Sequence, residues 1–209
     1  MELLTTGITF FQKGGIVMYV LLLCSLFVLS IGIERALYFR RMDSGRAFAR
    51  DFYLALANGK RQQAEKLADD ARGALADILF AVITKKPEAS KNPATYMEVQ
   101  SGIALAKLRK RLYYLSVIVT MAPLLGLLGT ISGMITSFSV FNLESGQATA
   151  ITGGVGEALI ATAMGLCVAI VSLAVHAYFS QRIENIVTDM EQCFSMVETA
   201  DDESKEEAA

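Results

Sequence analysis

The sequence predicts an all-α membrane protein with three transmembrane helices and long helical extensions into the cytoplasm. Three observations carry that prediction. No charged residue occurs between Lys13 and Glu34, between Arg111 and Glu144, or from Ala158 to Gln181. Each stretch is long enough to cross a hydrocarbon layer, for which ~20 helical residues suffice. The later two are also rich in Gly, Ala, Ser and Thr, which let helix backbones approach closely and offer hydroxyls to a polar path. Finally, the formal charge of −2 hides a strong segregation, because sixteen of the nineteen Lys and Arg lie between Arg35 and Arg111. At 209 residues, 53% hydrophobic, with a mean hydropathy of +0.43, the chain reads as one compact unit.

Residues 1–13 form an N-terminal segment and 14–38 the first span, centred on Ile16 to Leu29. A cleaved signal peptide fits poorly, since Glu34-Arg35 stands where a small-residue cleavage site belongs. Residues 39–111 are polar and helical. Phe48, Phe52 and Leu56 recur at four-residue spacing, and Leu75, Ile78, Leu79, Val82 and Ile83 form a second apolar stripe. Asn58-Gly59 marks a turn, and Pro87 to Pro93 a second break. Asn92-Pro93 is a helix start, a capping side chain followed by proline at the first helical position. No proline follows until Pro123, so a single helix is expected from Pro93 to Phe141.

The second span covers 112–141, a short loop 142–150, and the third span 151–180. The apolar period continues through Ile183, Ile186, Val187, Met190 and Phe194, predicting a helix over 181–197. Residues 198–209 are acidic and lack large apolar groups, and read as a solvated tail. Positive-inside reasoning places 39–111 in the cytoplasm, the N-terminus and the 142–150 loop outside, and the C-terminus inside. Cys24 and Cys167 fall inside spans and Cys193 in the C-terminal helix, a placement that suits small packing residues rather than disulfides.

Chemistry-bearing motifs are few. Gly153-Gly154-Val155-Gly156 lacks the Lys-Ser or Lys-Thr of a phosphate loop, and one histidine, His176, cannot build a metal site. Neither an enzyme centre, a cofactor, a metal site nor a nucleic-acid surface is expected. The informative pattern is a pair of small-polar seams. In span two, Gly126, Thr130, Gly133 and Ser137 are spaced four, three and four. In span three, Ala158, Thr162, Gly165, Ala169, Ser172 and His176 repeat the same spacing. Spacing alone leaves helix packing and pore lining equally open. Glu157, among Gly153, Gly154 and Gly156, is either an interfacial acid starting a helix or a proton-handling carboxylate.

At these residues the chain resembles the MotA/TolQ/ExbB proton channel family. Ala122-Pro-Leu-Leu-Gly-Leu-Leu-Gly-Thr130 is similar to the family's second-span signature, and Gly156-Glu-Ala-Leu-Ile-Ala-Thr-Ala-Met-Gly165 to its third. Lys13-Gly14-Gly15 and Ile33-Glu34-Arg35 resemble the two ends of its first span. Three spans favour the ExbB/TolQ branch over the four-span flagellar branch. The resemblance implies a homopentameric ring in the bacterial inner membrane. The ring would enclose a dimer of ExbD/TolR-like single-span helices, the partner that carries an intramembrane Asp. Proton flow would then drive work passed to a TonB- or TolA-like protein. Carried over, Thr130, Thr162 and Glu157 line the proton path with Ser137 and Ser172 on the same seams, while Pro123, Gly126, Gly129, Gly133 and Gly165 shape and pack the helices. Because Asp, Lys and Arg are missing from mid-depth in all three spans, the central proton carrier is expected from the partner.

Overall fold

The computed structural model describes residues 15–143 and 148–206, and side chains within them except at 88, 90, 140–143, 148–154, 157 and 202–206. Every described element is a helix: α1 (Gly15–Met42), α2 (Arg46–Ala57), α3 (Arg61–Asp70), α4 (Ala74–Ile83), α5 (Pro87–Ser90), α6 (Pro93–Arg109), α7 (Leu112–Leu143) and α8 (Ala148–Glu206). Among the described residues, three helices are long and apolar enough to cross a membrane. The chain divides into two compact units rather than the one its length suggested: 1–33 with 111–178, and 34–110 with 179–209. The division follows the charge segregation, which separates an apolar part from one that carries nearly all the cations.

In the first unit, α1 buries a narrow stripe of Met18, Leu21, Val28 and Ile31. Leu22, Leu23, Leu26, Phe27 and Leu29 on its other faces are exposed. A helix that is apolar all round but buried on one stripe is built for a lipid surround. The segments of α7 and α8 in this unit pack antiparallel, with Ala122, Ala161 and Ser172 almost wholly enclosed. Phe27 of α1 meets Tyr114 of α7 edge-on, with ring centres 6.2 Å apart.

The second unit is a small helical bundle with a core of Phe52, Leu79, Met97, Leu108 and Cys193. Its turns are written locally. The Asp43 carboxylate accepts the Gly45 N–H at 2.8 Å, closing the turn after α1. Asn58-Gly59 ends α2 as the sequence predicts, with Gly59 at φ 69°. Gly73 has φ 121°, and a Cβ there would come within 2.5 Å of Ser44 Oγ. That same Ser44 hydroxyl accepts the Ala76 N–H at 3.1 Å, capping the start of α4 from across the chain. Asn92 caps α6 as expected, its side chain accepting from Thr95 N–H at 3.2 Å.

Two expectations are corrected. The single helix from Pro93 to Phe141 is broken at Lys110 (ψ 134°) and Arg111 (φ 73°), giving α6 and α7. The cause lies in a distant side chain. Arg35, 3% exposed, donates through Nη1 to the carbonyls of Lys107 (3.0 Å), Leu108 (3.5 Å) and Lys110 (2.9 Å). Those carbonyls are the ones a helix leaves without partners at its C-terminus, and a cation there also opposes the macrodipole. Its other terminal nitrogen pairs with Glu34 at 2.7 Å, and the guanidinium lies 4.7 Å from the Tyr38 ring centre. The second correction concerns the C-terminus, where α8 runs to Glu206 instead of ending at 197. The stretch holds neither proline nor glycine, Ala and Glu are strong helix formers, and Asp201 pairs with Arg61 at 3.2 Å. Of the proposed tail, only 207–209 lie outside the described residues.

Candidate functional site

The two seams meet within one chain. Residues 115, 122, 126 and 129 of α7 face 172, 165, 162 and 161 of α8, an antiparallel crossing made of small groups. Glycine is required at its centre. A Cβ on Gly165 would fall 2.6 Å from the Ala122 carbonyl oxygen and 3.0 Å from Gly126 Cα. One on Gly126 would fall 3.0 Å from the Ala161 carbonyl oxygen, and one on Gly129 2.6 Å from Ala161 Cβ. The small-residue packing expected of Gly126, Gly129 and Gly165 therefore operates between the second and third spans of the same subunit. Gly133 serves differently, its carbonyl accepting the Ser137 hydroxyl at 2.8 Å.

Thr162 Oγ1 donates to the Gly126 carbonyl at 3.1 Å, crossing from α8 to α7. Four residues along, Thr130 stands where regular helix geometry hydrogen-bonds its N–H to that same carbonyl. Thr130 Oγ1 donates in turn to Leu127 O at 2.6 Å. The two threonine hydroxyls thus bond adjacent carbonyls of α7. Both residues are half-buried. Since a carbonyl can only accept, each hydroxyl proton is committed to the backbone. What remains outward is a pair of acceptor lone pairs.

Ser137 and Ser172 share the seam spacing but not this exposure. Ser172 is 0% exposed and donates to Leu115 O at 3.0 Å, and Ser137 is also buried. A four-three seam is wider than one row of atoms; its inner half is closed by the neighbouring helix, so these two hydroxyls pack the subunit. Pro123 lies inside α7, half-buried, and the helix continues through it. Without an N–H it leaves the Val119 carbonyl lacking its in-helix donor, one turn from the close crossing. His176 is half-buried in α8. Glu157 is in the helical part of α8 one turn before Ala161, and its side chain lies outside the described residues. Among the described residues, no group of three His, Cys, Asp or Glu could hold a metal ion.

Arg35 went unread as a structural residue, and so did the enclosed Ala122 and Ala161. Ala161 could have been found one position beside its seam, and Ala122 by extending the other seam one turn back from Gly126. For Arg35 the only sequence sign was its place beside Glu34 at the end of an apolar run.

Residues 65–192, more than half of the chain, match the family described as the MotA/TolQ/ExbB proton channel family. ExbB-like protein 1 of Synechocystis is 35% identical over 170 residues, covering 79% of this chain and 67% of its own. The biopolymer transport protein ExbB of Aquifex aeolicus is 36% identical over 87 residues, 41% of this chain and 58% of that one. The Tol-Pal system protein TolQ of Pseudomonas aeruginosa is 34% identical over 82 residues, 39% of this chain and 36% of that one. With its three apolar helices and its signatures at Thr130 and Thr162, the chain is a membrane protein of the MotA/TolQ/ExbB proton channel family, in the ExbB/TolQ branch.

Proposed function

We propose that the chain is the ring-forming channel subunit of a bacterial inner-membrane motor. Five copies would enclose ExbD/TolR-like single-span helices, and proton flow would drive work on the cell envelope through a TonB- or TolA-like protein. TonB-dependent import is the preferred client, and envelope maintenance of the Tol-Pal type the alternative. Its role is that of a channel rather than an enzyme.

The observation that carries this reading is that the Thr162 and Thr130 hydroxyls bond adjacent carbonyls of α7, those of Gly126 and Leu127. Two outward acceptor oxygens in an apolar wall suit a protonated carboxyl or water, which donate, better than a carboxylate, which only accepts. Neither threonine can carry the charge itself. The carrier is the Asp of the partner helix, neutral while it faces this wall. Glu157, towards one end of the same helix, is the candidate for loading or unloading the proton.

A passive scaffold is the rival reading, and the committed hydroxyl protons favour it, since Ser and Thr commonly bond their own helix backbone in lipid. Proton flux into liposomes separates the two. The purified chain alone should conduct poorly, the chain with its single-span partner should conduct, and partner Asp→Asn should abolish flux without dissolving the complex. Thr162→Val should keep the assembly and lower flux, with Thr130→Val milder because Ser132 and Thr136 lie nearby. Full flux from the chain alone would overturn the reading. Normal flux in both threonine variants would reduce the seam to packing.

A further inference from the structure

In the second unit, the outward face of α2 is not the polar face that a surface helix normally carries. Ala47, Arg50, Tyr53, Leu54 and Ala57 share it at helical spacing, and all are exposed, Tyr53 by 41% and Leu54 by 48%. Arg46 stands on the same face, and its side chain and that of Arg50 are 70% and 73% exposed. Arginine and tyrosine around an apolar side chain suit a contact with protein better than one with water.

A groove of complementary character lies in the same unit. It measures about 350 Å³ and runs between α6 and α8, with Met97, Leu105, Val187, Met190 and Phe194 as its apolar lining. Glu98, Glu191 and Glu198 border it, all exposed. Three cations of the bundle pair with other acids, Arg46 with Asp189, Arg61 with Asp201 and Arg182 with Asp43. Among the described residues, no ion pair engages the three glutamates.

The α2 helix of the same copy does not fill this groove. At 3.6 residues per turn, the lining positions 187, 190, 191, 194 and 198 fall on one flank of α8. Asp189 and Gln192, which border a second hollow with Arg46, Arg50 and Tyr53, fall on the opposite flank. Heights also agree. Arg46 lies 3.8 Å from Asp189, and the Cys193 thiol donates to Ala49 O at 3.5 Å, so α2 runs beside α8 in the same direction. The 12 residues of α2 rise ~18 Å, and residues 187–198 rise ~17 Å. Cyclic symmetry keeps every copy at one height, which sets α2 of one copy level with the groove of the next.

We propose that the outward face of α2 docks into the acid-bordered groove between α6 and α8 of a neighbouring copy of this chain. Tyr53 and Leu54 meet the apolar lining, while Arg46 and Arg50 face Glu191 and Glu198. This pairing rests on the ring-forming role proposed for the chain and names the surfaces that close the ring. A helix laid in an apolar groove is a common docking mode, and contact between two different faces is the kind that closes into rings.

The test uses the full chain with Cys24→Ala and Cys167→Ala, since Cys193 is buried. Copies carrying Tyr53→Cys are co-expressed with copies carrying Glu198→Cys, and isolated membranes are treated with a short bis-maleimide. The native mass of the parent is measured after extraction. A linked dimer should form in the mixture and from neither variant alone. Arg50→Glu on the first copy, or Glu191→Arg on the second, should lower the linked fraction several fold, and the two together should restore most of it. If a reversal impairs folding, Arg50→Gln should still lower the linked fraction. A parent with the mass of one copy would overturn the ring and this pairing with it. An intact ring without the linked dimer would overturn the pairing alone. So would linkage of Tyr53→Cys copies to one another, or a pair of reversals that restores nothing.

Discussion

At Asp189, burial and neighbouring charges act on one carboxyl in opposite directions. It sits in α8 outside the apolar spans, 9% exposed, and burial pushes its carboxyl above the usual range. Arg46 pulls the other way from 3.8 Å, Asp43 pushes it further up, and Arg182 opposes. A carboxyl raised in the folded state contributes stability below its unfolded pKa of about 4 and loses it as pH rises through the folded value. Asp189→Asn should therefore raise the thermal unfolding temperature at pH 7, with the gain vanishing towards pH 4. Unfolding in detergent across that range is the measurement. A destabilised variant at pH 7 would mean that Arg46 and Arg182 outweigh burial. Arg182, whose Nε lies 2.7 Å from Asp43 Oδ2, keeps a close acidic partner in either case.

Between elements, the decisive contacts are close approaches that carry no charge and a cap that does. Gly165→Leu would drive a side chain into the Ala122 carbonyl, so the third span must separate from the second within each copy. The variant should be proteolysed as a subunit before any ring forms, with a loss of roughly 1–3 kcal/mol or more from overpacking. Protease resistance in detergent checks it, and a stable monomer that merely fails to assemble would place the contact between subunits instead. Arg35→Met removes the cap on α6 and should cost about 1–3 kcal/mol, the cost of leaving buried acceptors without a donor. Arg35→Lys should rescue only part, since one ammonium cannot replace a planar fork across three carbonyls. Faster amide exchange in the last turn of α6 would report it. Much of this scale was legible in the sequence. The Asn92 cap, the Asn58-Gly59 turn and the Leu75–Ile83 stripe depend on neighbours within a few residues. The Lys110–Arg111 break did not show, because nothing in Arg-Lys-Arg forbids a helix and its cause sits some seventy residues upstream. The seams were readable as seams, yet spacing could not say which half faces a neighbour. That is why Ser172 and Thr162 looked alike.

At the scale of the molecule, the charge asymmetry makes the last prediction. Sixteen of nineteen Lys and Arg lie between Arg35 and Arg111, and positively charged segments resist export. The expected arrangement is N-terminus out, residues 39–111 in, and C-terminus in. Cys193 cannot report it: the side chain is 0% exposed, its thiol bonds Ala49 O at 3.5 Å, and burial with the nearby Asp189 charge pushes its pKa up to about 12. So little thiolate exists at neutral pH that labelling would fail from either side. Exposed positions serve better. Gln62→Cys and Ser195→Cys occupy solvent-facing sites on α3 and α8. Both should resist a membrane-impermeant maleimide in intact cells and react once the membrane is opened. Ser145→Cys, in the short loop outside the described residues, should react in intact cells without opening. Labelling of Gln62→Cys or Ser195→Cys from outside would invert the arrangement. It would also move Glu157 to the opposite mouth of the proton path and so exchange the loading role for the unloading one.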